Sequence, residues 1–134
     1  MTAHVFYRNV RDAIGETASH ESAKRATAAV FHALRDRLTP DEADQVMAQL
    51  PRELKEVWEA GEAPERRPVK LDREEFYARV QRDTGVASSR EGRWLTLAVF
   101  MALQKQLSPG EAEDVLAQLP KDLKEVWTEA QAAA

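Results

Sequence analysis

The chain repeats itself. Residues 38–58 (LTPDEADQVMAQLPRELKEVW) align without a gap to residues 107–127 (LSPGEAEDVLAQLPKDLKEVW) at an offset of 69, with 14 of 21 positions identical. Upstream, Val30, Phe31, Ala33 and Leu34 recur at the same offset as Val99, Phe100, Ala102 and Leu103. Phe6, Tyr7, Val10 and Gly15 recur at an offset of 70 as Phe76, Tyr77, Val80 and Gly85. One residue has therefore been gained or lost after the glycine. A duplication of this kind means that both copies adopt the same local structure and that each can bury against the other what it cannot bury alone. A unit of about 60 residues is marginal by itself, whereas the full 134 residues support one continuous core.

Each copy predicts four helices. The first carries Phe6, Val10, Ala13 and Ile14 at helical spacing, with Phe76 and Val80 in the second copy, and Gly15 and Gly85 sit where a left-handed residue would end it. The second and longest spans about 20–38 and 89–107; its stripe in the first copy is Ala23, Ala26, Thr27, Val30, Phe31, Leu34 and Leu38. Ser88 with Glu91 offers a capping box. The third opens on Thr39-Pro40-Asp41-Glu42 and Ser108-Pro109-Gly110-Glu111, each a hydroxyl N-cap, a proline at the first helical position and a glutamate at the third. Pro51 and Pro120 disfavour helical geometry in the leucine before them, so the chain turns into a fourth helix holding Leu54, Val57 and Trp58, or Leu123, Val126 and Trp127. The expected fold is all-α: two tandem pseudo-symmetric four-helix repeats packed into one compact bundle. Repeat A occupies 1–61, a polar linker with two prolines 62–71, and repeat B 72–134. Asp72 with Glu75 caps the fifth helix.

The copies differ most on the second helix. Opposite its apolar stripe the first copy carries Glu21, Arg25, Ala28 and His32, the second Arg90, Trp94, Leu97 and Met101. A helix apolar on two sides must bury both, which makes the helix of about 89–107 central and predicts that Trp94, Leu97 and Met101 are covered by the other repeat or by another chain. Glu42, Gln49, Glu111 and Gln118 form a second repeated feature, with each glutamine seven residues beyond its glutamate on the same flank of the third helix. The glutamates read as capping-box partners. The glutamines read as partners for carbonyls stranded at the Leu-Pro turn, with a repeated polar binding edge as the alternative.

The residue inventory argues against an enzyme. Without cysteine there is no disulfide, thiol nucleophile or thiolate metal site, and the opening MTAHVFYRNVRD lacks a signal-peptide layout, so the cytoplasm is expected. His4, His20 and His32 are scattered and read as surface residues; five glycines form no phosphate-cradling loop and no Gly-x-Ser-x-Gly is present, so no catalytic, cofactor or metal site is expected. The net charge of −4 divides into −2 on either side of Val69 (10 basic minus 12 acidic, then 9 minus 11), which argues against nucleic acid as a partner. Arg66-Arg67-Pro68-Val69-Lys70 is flanked by Glu62, Glu65 and Asp72 and reads as solvated linker. The apolar run Trp94–Leu103 is too short for the ~20 residues a membrane span needs.

The Phe-Tyr helix, the long Ala-rich helix and the repeated Leu-(Thr/Ser)-Pro-x-Glu-Ala…Gln-Leu-Pro-x-x-Leu-Lys-Glu-Val-Trp segment together resemble the bacterial domain-of-unknown-function 2267 family over about residues 3–128. The resemblance implies an all-helical bacterial cytosolic protein and brings no activity, cofactor or catalytic residue with it. The function expected is a non-enzymatic protein-interaction or assembly module, with a protein partner or a second copy of itself. The alternatives are a small-molecule-binding bundle with an apolar pocket between the repeats near Trp58, Trp127, Tyr7 or Tyr77, and helix-based DNA binding.

Overall fold

The computed structural model describes residues 2–63 and 65–133. Eight helices follow one another among them: α1 (Ala3–Ile14), α2 (His20–Arg37), α3 (Pro40–Ala48), α4 (Arg52–Glu59), α5 (Arg73–Thr84), α6 (Ser89–Gln106), α7 (Pro109–Gln118) and α8 (Lys121–Ala133). No strand occurs among the described residues, and none of these helices is long and apolar enough to cross a membrane.

Hydroxyl and carboxylate caps set the helix starts. Thr39 Oγ1 accepts from Glu42 N and Ser108 Oγ from Glu111 N, each ahead of a proline that needs no hydrogen-bond partner. Asp72 and Glu75 close a full capping box on α5. Ser19 and Ser22 close another on α2, where a serine takes the place usually held by glutamate. The Ser88 box is only half formed: Glu91 N bonds Ser88 Oγ, but the Glu91 carboxylate accepts from Ala87 N.

The one-residue difference between the copies is absorbed at the glycines. Gly85 takes the expected left-handed conformation (φ 78°, ψ 13°) and Ser88 caps α6 three residues later. Gly15 has φ 119° and ψ −168°, an extended turn outside the left-handed region, and the N-cap Ser19 comes four residues on.

Each copy packs a phenylalanine from its first helix on one from its second, which in turn meets the closing tryptophan. Phe6, Phe31 and Trp58 meet edge to face with centroids 5.5 and 5.3 Å apart; Phe76, Phe100 and Trp127 do so at 5.8 and 5.0 Å. All six side chains are buried, and the clusters belong to one core. α2 and α6 touch at the centre, α1 also lies across α6, α5 lies across α2, and α3 meets α7. Gly92 permits the close approach of α5 to α6, because a Cβ there would stand 2.6 Å from the carbonyl oxygen of Tyr77.

The segment after α4 is less solvated than its composition suggests. Arg66 folds back onto the C-terminal end of α2, donating to the carbonyls of Arg35 (2.6 Å) and Leu38 (2.7 Å) and to Glu62 (2.6 Å), while Val69 N bonds the Asp36 carbonyl (2.8 Å). Unsatisfied carbonyls at a helix end attract a guanidinium, which answers several at once. Arg66 is therefore a structural clamp, whereas Arg67 and Lys70 remain exposed.

Candidate functional site

The outer face of α6 is the largest departure from the expected burial. α1 covers part of it, so α6 is central and Leu97 and Met101 are half-buried. Trp94 lies beyond the cover and is 54 % exposed, so the other repeat does not bury it, and of the two covers expected for this face only another chain is left for it. α1 ends at Ile14 and leaves the Trp94 ring uncovered. The Arg90 guanidinium sits 5.6 Å from the Trp94 ring centroid, a cation–π contact that covers part of one ring face.

Trp94 stands as a ridge between two hollows at the α1–α6 seam. One, of about 260 Å³, includes Ile14, Thr17, Arg25, Val86 and Leu95 in its wall; the other, of about 360 Å³, includes Ala13, Ile14, Leu97 and Met101. Both are open to solvent. Most of the apolar lining comes from positions that differ between the copies, since Arg25, Ala28 and His32 stand where Trp94, Leu97 and Met101 do. By spacing alone Ile14 is a core residue of α1; its position at the helix end, next to a glycine turn, is what leaves it half-exposed.

The second site is the repeated polar edge, where the structure gives the glutamines different partners from those expected. Gln118 Oε1 accepts from Thr39 N (3.0 Å) and its Nε2 donates to Thr39 Oγ1 (3.2 Å). Gln49 Oε1 accepts from Ser108 N (2.7 Å) and its Nε2 donates to Ser108 Oγ (3.2 Å). Each glutamine thus caps the third helix of the other copy, and neither side chain bonds the carbonyls at its own Leu-Pro turn. Gln106 Nε2 donates to the Gln49 carbonyl (2.8 Å) instead.

This arrangement displaces Glu42 and Glu111 from the capping role expected of them. Their N-cap amides are taken by the glutamines, so no capping box closes on either helix. Both glutamates are buried, at 6 % and 7 % exposure, and Oε2 of each has no hydrogen-bond partner. They face one another, with Asp114 alongside: one carboxylate oxygen from each of the three lies within 4.8 Å of the other two. Burial, then the Glu111 carboxyl against it and the charge of Asp114, push the Glu42 carboxyl up to about 8. Asp114 carries no signal in the sequence, because an exposed aspartate three residues after Glu111 looks like any solvated carboxylate.

Residues 3–126 match a family model described as an uncharacterized conserved protein (DUF2267). The chain belongs to that family. The match reaches into all eight helices and takes in both the α6 face and the paired glutamates. No curated protein matches the chain. The family description assigns no activity, so the role of either site rests on its geometry.

The other residues singled out in the sequence are structural. Trp58, Trp127, Tyr7 and Tyr77 are all buried, and the first three pack against neighbouring rings. Trp127 touches a surface hollow of about 300 Å³ whose wall comes wholly from α6 to α8, not from between the copies. Burial, with the Glu53 charge in support, pushes the Tyr7 hydroxyl up to about 12. His32, expected at the surface, is half-buried and donates from Nε2 to the Val57 carbonyl (2.7 Å); His20 stacks edge-on to Tyr7 at 5.6 Å.

Proposed function

We propose that the chain is a non-enzymatic cytoplasmic module of a bacterial cell that assembles through the outer face of α6. Two pseudo-symmetric four-helix repeats form its scaffold, about an approximate two-fold axis passing between α2 and α6 and between α3 and α7. Three observations support that symmetry: the crossed packing of α1 on α6 and α5 on α2, the reciprocal Gln49 and Gln118 bridges, and the matched aromatic clusters.

The observation that carries the functional reading is the exposed Trp94 with a hollow on either side. A large exposed aromatic on an apolar face marks a contact surface, and tryptophan is the residue most enriched at the energetic centre of interfaces. The partner that fits is a second copy of this chain. An isologous dimer needs projection and recess on one patch, and here the indole stands beside the recesses that would take the partner's indole. Arg25 and Glu91 on the rim supply both signs of charge, so copies meeting across a two-fold axis can pair Arg25 with Glu91.

Sedimentation velocity over a concentration series tests this reading. A reversible dimer is expected, and Trp94→Glu should abolish it while leaving the helical circular dichroism and the melting temperature close to those of the parent. A strict monomer at every concentration, or a Trp94→Glu variant that dimerises as tightly as the parent, would sink it.

A further inference from the structure

Two carboxylate oxygens at the α3–α7 junction lack any partner, and the fold leaves them so for a definite reason. Gln118 and Gln49 occupy the N-cap amides that Glu42 and Glu111 would otherwise reach. Both glutamates are more than nine-tenths buried, and their Oε2 atoms hydrogen-bond to nothing. A buried, unpaired carboxylate is costly, and two that face each other add repulsion. A cation between the carboxyls, or a proton shared by them, relieves that repulsion.

We propose that Glu42, Glu111 and Asp114 hold a hard divalent cation between α3 and α7. Each of the three offers an oxygen within 4.8 Å of the other two. Two oxygens bound to one calcium at 2.3–2.6 Å can stand up to about 5 Å apart, so that spacing is within reach of such an ion. The donor set is oxygen alone, which suits calcium, manganese or magnesium and disfavours zinc and copper, for which imidazole or thiolate would be expected. Asp114 is exposed and gives the ion its route in, and water fills the positions facing solvent. Because Glu42 comes from one copy and Glu111 and Asp114 from the other, the cation ties the two together beside the glutamine bridges.

The test uses the intact chain, stripped with a chelator and then supplied with calcium, magnesium or manganese chloride at fixed pH. At least one of them should raise the melting temperature by about 3 °C or more near saturation, since a ligand bound only by the native state stabilises it. Titration calorimetry should give one ion per chain. Glu42→Gln, whose amide can donate to Glu111 in place of the ion, should fold and lose the response; Asp114→Asn, changed at an exposed position, should fold and bind at least about tenfold more weakly. If no cation shifts the parent more than it shifts these two variants, and calorimetry shows no saturable heat, the proposal is overturned and the carboxyl pair holds only a shared proton.

Discussion

At one position in the duplication the first copy carries Arg35 on α2 and the second carries Gln104 on α6, and both reach the carbonyl of the tryptophan that closes their copy. Arg35 Nη1 donates to the Trp58 carbonyl at 2.7 Å and Gln104 Nε2 to that of Trp127 at 2.9 Å. The difference lies in the chain beyond the tryptophan. α8 runs on to Ala133, whereas α4 stops at Glu59 and leaves its last carbonyls stranded. A neutral amide with one well-placed N–H suffices in the second copy. In the first, the guanidinium also bonds the Ala60 carbonyl at 2.7 Å and Asp36 at 2.9 Å, and lies 3.6 Å from Glu62. Arg66 and Arg79 complete this ionic cluster at the root of the connector, and Arg79 joins it to α5 through Asp36 at 2.7 Å. Where the chain leaves the first copy for the second, a charged group stands at the position that an amide holds in the second copy.

The largest expected effect comes from breaking that cluster. Arg35 is buried at 4 % exposure, so Arg35→Ala takes one cation from Asp36 and Glu62, which keep Arg79 and Arg66, and leaves two carbonyls short of a donor, a loss of about 3 kcal/mol. Gln104→Ala removes one neutral bond and should cost about 1 kcal/mol. Arg35→Gln imports the residue of the second copy and should fall between them, and urea unfolding gives all three values. If Arg35→Gln equals the parent, the two ends are interchangeable and the comparison fails. The acid limb of the same curves carries the sign of the charge. Burial works to raise the Asp36 carboxyl, but hydrogen bonds from Arg79 and Arg35 outweigh it and hold it below the usual value. Its contribution is therefore complete above the ordinary carboxylate range and is lost as pH falls through its lowered native value. The parent should lose this increment below about pH 4, and Asp36→Asn should lack it at every pH.

A smaller effect separates the two long helices. Ala23 in α2 and Gly92 in α6 occupy one position of the repeat, and only at Gly92 would a Cβ meet backbone, 2.6 Å from the Tyr77 carbonyl oxygen. Gly92→Ala should destabilise by about 1–3 kcal/mol despite the better helix propensity of alanine, because α5 must retreat. Ala23→Gly should cost about 1 kcal/mol from propensity, with the lost packing of a fully buried methyl added to it. Measured melting curves with Gly92→Ala more stable than the parent would show that α5 is free to move and that the close approach is not a constraint.

The same contrasts mark how far a duplicated sequence reveals its own structure. The eight helices and the capped starts at Thr39, Asp72 and Ser108 are legible because periodicity and capping are local, and the duplication states the helices and the Thr39 and Ser108 starts twice. The sequence leaves two covers open for Trp94 because apolar character on α6 says that a face needs cover, while which element supplies it depends on the packing of the whole chain. Arg66 looks solvated because composition reports charge and not the stranded carbonyls of α2 that draw the side chain in. The paired glutamates stand out at the right positions with the wrong role. A capping box is a local pattern, and it is defeated here by a glutamine 79 residues away from Thr39 along the chain.

That substitution of a distant partner for a local one is open to the subtlest test. Gln118→Ala frees the Thr39 amide and Gln49→Ala the Ser108 amide, both at exposed positions where water can replace the lost bonds, so each change should cost about 1 kcal/mol or less. The freed amide also lets the glutamate of that helix turn back and close its capping box, which offsets part of the loss. Near-equal effects are expected, because the two bridges use the same atoms in the two copies. The double variant should cost more than the sum of the single ones, since the repulsion relieved when the first glutamate leaves cannot be relieved a second time, and a double-mutant cycle reads that coupling. It should also lose any response to divalent cations. A strictly additive cycle would mean that Glu42 and Glu111 stay where they are without the glutamines, and that packing between α3 and α7, not the stolen caps, holds the carboxyls together.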